Sequence, residues 1–378
     1  MFSVSLITLG DPAQRTGGYL YHRRMAEAAP EHGAQVRFVS FPALPFPLPA
    51  ARAGPVLREA CSPGTDVVVL DSIAAAFLAP ALVLHSPAIP LVAILHQPPG
   101  GIDHRWPRAR AQAALDRIAY RRTAVLVLAS AALVSELPAN LRGRTIVIPP
   151  GRDVGPPPAE PAIQPLPAKP AIQPPPAEPA IQPPPAVAGD LRRGRRTALL
   201  CVGNWVARKG LLELLAAVAA LPPDAATLHL AGRDDVDRRY AALVHARLGQ
   251  PDLAGRVVVH GPLDRPEVSA LYHGADVFVL PSVREPYGTA YGEAMAAGLP
   301  VVGWRAGNLQ HLATHGREGL VLPPGDVPGL TAALWRLADD EPYRQRLGEA
   351  ARQRAAALPT WEESADRLFT TLRAVARW

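Results

Sequence analysis

Two carboxylates eight residues apart, Glu285 and Glu293, frame the stretch EPYGTAYGEAMAAGLP, which follows the apolar run from Asp276 to Ser282. That order predicts a strand, a turn at Gly288 and then a helix. In open α/β sheets such a junction binds ligands, because the unpaired N–H groups and the dipole of a helix start favour an anion. Pro286, Tyr287, Gly288 and Thr289 supply the loop, and Gly288 lets backbone approach a ligand closely. Glu285 is placed to accept hydrogen bonds from ligand hydroxyls, and Glu293 to reach the same pocket from inside the helix. A diphosphate flanked by hydroxyl-rich groups matches this layout. An ordinary strand–turn–helix with two solvated glutamates has the same spacing.

Three further stretches carry chemistry at strand ends. Ala198–Val202 runs into Gly203-Asn204-Trp205-Val206-Ala207-Arg208-Lys209-Gly210 before a helix. A glycine turn with adjacent cations at a helix start suits a diphosphate, though two exposed bases before a helix are common. Leu91–Leu95 ends in His96, followed by QPPGG; His104 is the second histidine of this region, and Asp71 closes another strand. A polar residue there is placed for chemistry, or it simply caps the strand. Gly17 and Gly18 open the first helix after the strand Val4–Leu9, as in a nucleotide-binding unit or any tight turn.

The glutamate pair with EAMAAGLPVV closely resembles the signature of retaining glycosyltransferase family four, which has the GT-B fold. The strand with G and RKG at 203–210 is similar to that family's second landmark, and EGLVLPPG from Glu318 to its closing motif. The resemblance implies that Glu285 holds a donor sugar, Glu293 the donor ribose, and Pro286–Thr289 the sugar and phosphate. It implies donor phosphate on Lys209, sugar contact from His96, and close approach of the first helix through Gly17 and Gly18. Asn204 stands where the family usually has arginine, and Arg208 is the cation that would compensate. The donor implied is a nucleotide-diphosphate sugar and the acceptor is unknown; no cofactor and no metal are expected. The Asp-x-Asp at Asp235 and Asp237 falls at a helix start and reads as capping.

Stepping from those residues to their frame, apolar runs of four to six alternate with helical stretches along both halves of the 378-residue chain. Such runs predict buried parallel strands. The expected α/β architecture is two Rossmann-like domains facing across a cleft: residues 1–148 for the acceptor and 191–358 for the donor. Residues 359–378 form a terminal helix that returns to the first domain. Between the domains, 149–190 is a linker with 16 prolines from Pro149 to Pro185 and PAxPAIQP repeated every nine residues. Proline lacks an N–H and fixes φ, so a disordered tract is expected.

Cys61 and Cys201 lack metal-like spacing and read as thiols in a reducing compartment. No signal segment or membrane span is evident, so a cytoplasmic protein is expected. The net charge is +6, and no nucleic-acid motif accompanies it. Arg105, Arg108, Arg110, Arg117, Arg121 and Arg122, set against Asp103 and Asp116, form either a solvated face or a peripheral contact with the inner membrane surface. The function expected is sugar transfer from a nucleotide-sugar to a hydroxyl. The alternatives are a hydrolase or sugar-phosphate synthase of the same fold, or a non-catalytic sugar-nucleotide-binding or proline-tract interaction protein.

Overall fold

The structure, a computed structural model, describes residues 1–13, 17–104, 106–152 and 190–377. The N-terminal half begins β1 (Phe2–Leu9), α1 (Gly17–Ala28), β2 (Ala34–Phe41), α2 (Ala53–Ala60), β3 (Val67–Asp71) and α3 (Ala75–Leu84). It continues β4 (Leu91–Leu95), α4 (Trp106–Arg121), β5 (Val125–Leu128), α5 (Ala132–Glu136), α6 (Ala139–Arg142) and β6 (Thr145–Val147). β3 and β4 are buried along their whole length, as their unbroken apolar runs require of central parallel strands. α3 is apolar on every side and correspondingly buried. α1 begins at Gly17 and ends at Ala28; a 3₁₀ turn containing Pro30 then runs to His32.

The C-terminal half contains β7 (Thr197–Val202), α7 (Leu211–Ala219), β8 (Ala226–Ala231), α8 (Arg238–Leu248), β9 (Val257–Gly261), α9 (Arg265–Gly274) and β10 (Val277–Val279). After these come α10 (Thr289–Ala296), β11 (Val301–Trp304), α11 (Leu309–Leu312), β12 (Gly319–Leu322), α12 (Val327–Asp339), α13 (Glu341–Ala356) and α14 (Trp361–Ala376). Asp264 and Glu267 close a capping box on α9, and Thr360 and Glu363 do the same on α14.

The strands form two six-stranded sheets whose neighbours are all parallel. One has the order β2-β1-β3-β4-β5-β6, the other β12-β11-β10-β7-β8-β9. Strand order reverses between β1 and β3 in the first and between β7 and β10 in the second. Those switch points open crevices at the strands' carboxyl ends, and the candidate residues follow β1, β4, β7 or β10, apart from Asp71, which ends β3, and Glu293, which lies inside α10.

Two crossings join the halves. Residues 149–152 lie beside 358–360: Arg152 N–H donates to the Pro359 carbonyl at 2.9 Å, and Arg152 bridges Thr360. The Ser364 hydroxyl donates to the Pro149 carbonyl at 2.8 Å. α14 then buries Ala365, Leu368, Phe369, Leu372 and Val375 against Val4, Leu6, Tyr21 and Met25 of the first domain. The expected return of the terminal helix is thus present. Where the chain re-enters the second half, Arg192 pairs with Asp276 through two hydrogen bonds of 2.8 and 2.6 Å. The repeats of the proline tract lie outside the described residues.

Candidate active site

Lys209 and Glu285 meet. The β7 strand ends at Gly203, whose missing side chain leaves room for the Lys209 alkyl chain: a Cβ would come within 3.3 Å of Lys209 Cε. A short 3₁₀ turn, Ala207–Lys209, then presents both cations, and Gly210 ends it at φ 69°. A side chain at Gly210 would overlap the Pro281 carbonyl, so the turn can lie against the end of β10 only with glycine there. Lys209 Nζ lies 2.5 Å from Glu285 Oε2, with the two side chains 11% and 15% exposed. Arg208 Nη1 is 3.4 Å from the same oxygen and donates to the Arg284 carbonyl at 3.0 Å.

The Glu285 loop is clamped from behind. Asn308 N–H donates to the Glu285 carbonyl at 2.8 Å, and Asn308 Nδ2 to the Tyr287 carbonyl at 2.7 Å. Gly307, at φ 54°, packs directly on the Glu285 backbone. Gly288, at φ 82°, precedes α10, and no side chain caps that helix. Tyr287, Gly288 and Thr289 therefore present a helix start that is open for an anion.

Residues of the N-terminal half, up to Pro150, touch the Glu285 loop at three places and the Arg208 turn at a fourth. Gly17 comes within 3.6 Å of Thr289 Oγ1, measured from where its Cβ would stand. The Ser130 hydroxyl donates to the Pro286 carbonyl, and the Tyr287 hydroxyl to the Pro150 carbonyl at 2.9 Å. Asp103, in the loop after β4, accepts from Arg208 Nε at 2.8 Å. The switch points of the two sheets thus face one another across one cleft.

His96 and Glu293 sit differently from the pair at Lys209. The His96 ring lies under the first turn of α1, where a Cβ at Gly18 would be 3.3 Å from its Cδ2. Its Nε2 is buried without a hydrogen-bond partner among the described residues. Burial, aided by His22, pulls its pKa down to about 3, so the imidazole is neutral in the ordinary pH range. His104 packs against Gly101 and remains half-buried. Glu293 accepts from the Tyr272 hydroxyl at 3.1 Å. Water reaches Glu293, yet the protein crowded around it raises its carboxyl pKa, against the Tyr272 bond and Arg265.

Asn204 makes no ion pair; its Oδ1 accepts from Arg233 N–H at 3.4 Å, tying the β7 and β8 loops together. Asp237 caps α8 through Tyr240 N–H at 3.1 Å, and Asp235 pairs with Arg233. Among the described residues, His22, Asp71 and His96 bring ligand-type atoms within 4.8 Å of one another. Asp116 departs from the sequence expectation. It turns inward, 1% exposed, and its carboxylate accepts from Gly100 N–H at 2.8 Å, so it does not offset the arginines of α4. Arg108, Arg110, Arg117, Arg121 and Arg122 are exposed, with Arg110 over the Trp106 ring at 4.8 Å. An apolar groove of about 740 Å³ between α7 and α12 holds none of the candidate residues.

Sequence reasoning missed Asn308, Ser130, Asp103 and His22. All four act through contacts between elements distant in the chain, and no local motif signals that. Cys201 is buried and its thiol pushed up to about 12, which suits packing and not reactivity.

Residues 196–340, which span β7 to α12, match the family of glycosyl transferases group 1. Glycogen synthase of Mycobacterium tuberculosis is 37% identical over 166 residues, covering 43% of this chain and 39% of that protein. MMP alpha-(1->4)-mannosyltransferase of Mycolicibacterium hassiacum is 33% identical over 191 residues, covering 49% and 46%. The matched stretch spans under half the length of these curated relatives. Sucrose-phosphate synthase from Thermosynechococcus elongatus has the same fold at a TM-score of 0.76 and 22% identity, over 99% of both chains. Anabaena HepE in complex with UDP-glucose superimposes at 0.73 and 19% identity, over 98% of this chain and 99% of that one. The fold is therefore GT-B, and residues 196–340 match the glycosyl transferases group 1 model.

Proposed function

We propose that the chain is a retaining, metal-independent glycosyltransferase moving a sugar from a nucleotide-diphosphate sugar to an acceptor hydroxyl of a glycan, glycolipid or small metabolite. One observation carries the reading: Lys209, Arg208 and Glu285 converge at the open start of α10, facing Gly17 across the cleft. Breaking a glycosidic bond to a diphosphate demands stabilisation of the departing charge. Lys209, Arg208 and the α10 amides supply it once a donor takes the cations from Glu285. Glu285 is then free to accept from sugar hydroxyls. Glu293, in the second turn of α10, meets the ribose, and neutral His96 borders the sugar.

No side chain is assigned as a covalent nucleophile. The reading is attack on the face from which the diphosphate leaves, with the acceptor proton passing to that phosphate. The enzyme names of the relatives favour catalysis over a non-catalytic binding role. The exposed arginines of α4 and Trp106, 69% exposed, mark the side on which a phosphorylated or lipid-linked acceptor would meet the cleft at a membrane face. Among the described residues no helix is long and apolar enough to cross a membrane.

The test is a thermal-shift screen with UDP, GDP, ADP and their sugars, repeated on Glu293→Ala. Ligand binding to the native state raises Tm by mass action. A shift for one base, lost in the variant, supports the donor site; no shift for any of them overturns the proposal.

A further inference from the structure

The group behind Gly18 has more order than donor contact requires. Asp71 ends β3, His96 follows β4, and His22 lies in the second turn of α1. The Asp71 carboxylate is 2% exposed and His22 is fully buried. His22 Nε2 lies 2.9 Å from Asp71 Oδ2, near enough for a charge contact though oblique to a linear hydrogen bond. Oδ2 also accepts from the Thr8 hydroxyl at 3.1 Å, while Oδ1 accepts from the Ser72 hydroxyl at 3.2 Å and Ile73 N–H at 3.3 Å. Burial pushes this carboxyl up; His22, His96 and the Ile73 N–H together outweigh it and hold it down to about 2, so Asp71 is ionised.

Both connections lead to His96. The Ser72 hydroxyl that donates to Asp71 also accepts the His96 backbone N–H at 3.2 Å. The His22 ring meets the His96 ring edge-on, centroids 4.8 Å apart and planes at 75°. Asp71 therefore reaches the backbone of His96 through Ser72 and its ring through His22.

We propose that Asp71 and His22 are positioning residues for His96: they fix the place and orientation of its imidazole beneath the α1 turn. This rests on the glycosyltransferase reading, in which His96 borders the donor sugar. A divalent cation is a poor occupant of the cluster, because three hydrogen bonds and the His22 contact already crowd the Asp71 oxygens. A catalytic group misplaced by about 1 Å loses on the order of 100-fold in rate, which sets the scale expected.

The experiment uses the full chain with Asp71→Asn, which keeps shape and removes charge, and with His22→Gln. Transfer kinetics, donor binding and side-chain ¹⁵N–¹H spectra of histidine-labelled protein are recorded for each. The expected result is kcat lower by about 10- to 100-fold, KM for donor within about twofold, and displaced His96 ring resonances. Unchanged kcat and unchanged His96 resonances overturn the proposal. So does purified protein that carries one equivalent of a divalent metal. If either buried variant fails to fold, Ser72→Ala removes one link without touching the charge; unaltered His96 resonances there overturn the proposal equally. Should the wild type transfer no sugar from any donor, the glycosyltransferase reading fails separately, while the spectra still decide whether Asp71 and His22 set His96.

Discussion

Replacing Asp116 with asparagine should make the protein more stable at neutral pH, by an amount that depends on pH in a calculable way. The residue lies on the inner face of α4, 1% exposed, and burial pushes its carboxyl up to about 7, against the bond from Gly100 N–H. The folded state thus binds the proton more tightly than the unfolded chain, where the value is 3.8. The sign follows directly. Below the unfolded value both states are protonated and no penalty exists. As pH rises towards about 7 the unfolded chain ionises first, so folded stability falls; above that the penalty is constant, at roughly 4 kcal/mol. Asparagine cannot ionise and keeps an oxygen for Gly100. Any fixed cost of the substitution is the same at every pH, so only the change with pH is diagnostic. Between pH 5 and pH 8 wild type should lose about 2–3 kcal/mol relative to the variant. Urea unfolding of both proteins at both pH values measures this from Cm and m. A difference that stays flat, or grows in favour of wild type as pH rises, refutes the argument.

Two perturbations address the cations directly. Lys209→Ala and Glu285→Ala should each abolish most transfer while the protein still folds, because both side chains line a cleft and leave the sheet cores untouched, with Tm lower in Glu285→Ala where Lys209 loses its anion; turnover at the wild-type rate in either removes the assigned site. Asp103→Ala should tighten donor binding by a few-fold, since Arg208 no longer divides itself between Asp103 and the cleft. A half-exposed pair is worth about 0–1 kcal/mol, which caps the gain at roughly fivefold; weaker binding by calorimetry would mean that Asp103 holds Arg208 in its useful place.

What the sequence revealed and what it concealed divide along a physical line. Strand runs such as Val67–Asp71 and Leu91–Leu95 are legible because a parallel strand buried on both faces needs an unbroken apolar run. The turn at Gly288 and the cations at 208–209 are legible because local backbone demands and local charge sit together in the chain. The partnership of Lys209 with Glu285 is not, since it depends on β7 and β10 lying side by side at the switch point. The inward turn of Asp116 escaped for a similar reason. A carboxylate among six arginines reads as part of a charged face, and only helical phase against α3 sets it under Gly100. His22, one turn past a glycine pair, carries no signal until β3 brings Asp71 beneath it.

The site is neutralised within itself before any donor arrives, and this bears on the loss of a cation at Asn204. Two cations, Lys209 and Arg208, share one carboxylate, Glu285, and Arg208 has a second anion in Asp103. Burying either cation unpaired would be costly, so each needs an anion near it in the empty cleft. A diphosphate replaces that role with more charge and better geometry, and it releases Glu285 to hydroxyl groups and Asp103 to solvent. An arginine at 204 would add a third cation, with Asp235 already committed to Arg233 nearby. Asparagine instead ties the β7 and β8 loops through Arg233 N–H. Asn204→Arg should therefore tighten diphosphate binding, and do so more at low salt than at high salt, because an added exposed cation is screened. Equal affinity at both ionic strengths would mean that position 204 does not face the phosphates, and Arg208 would then be the sole partner of Lys209 in the clamp.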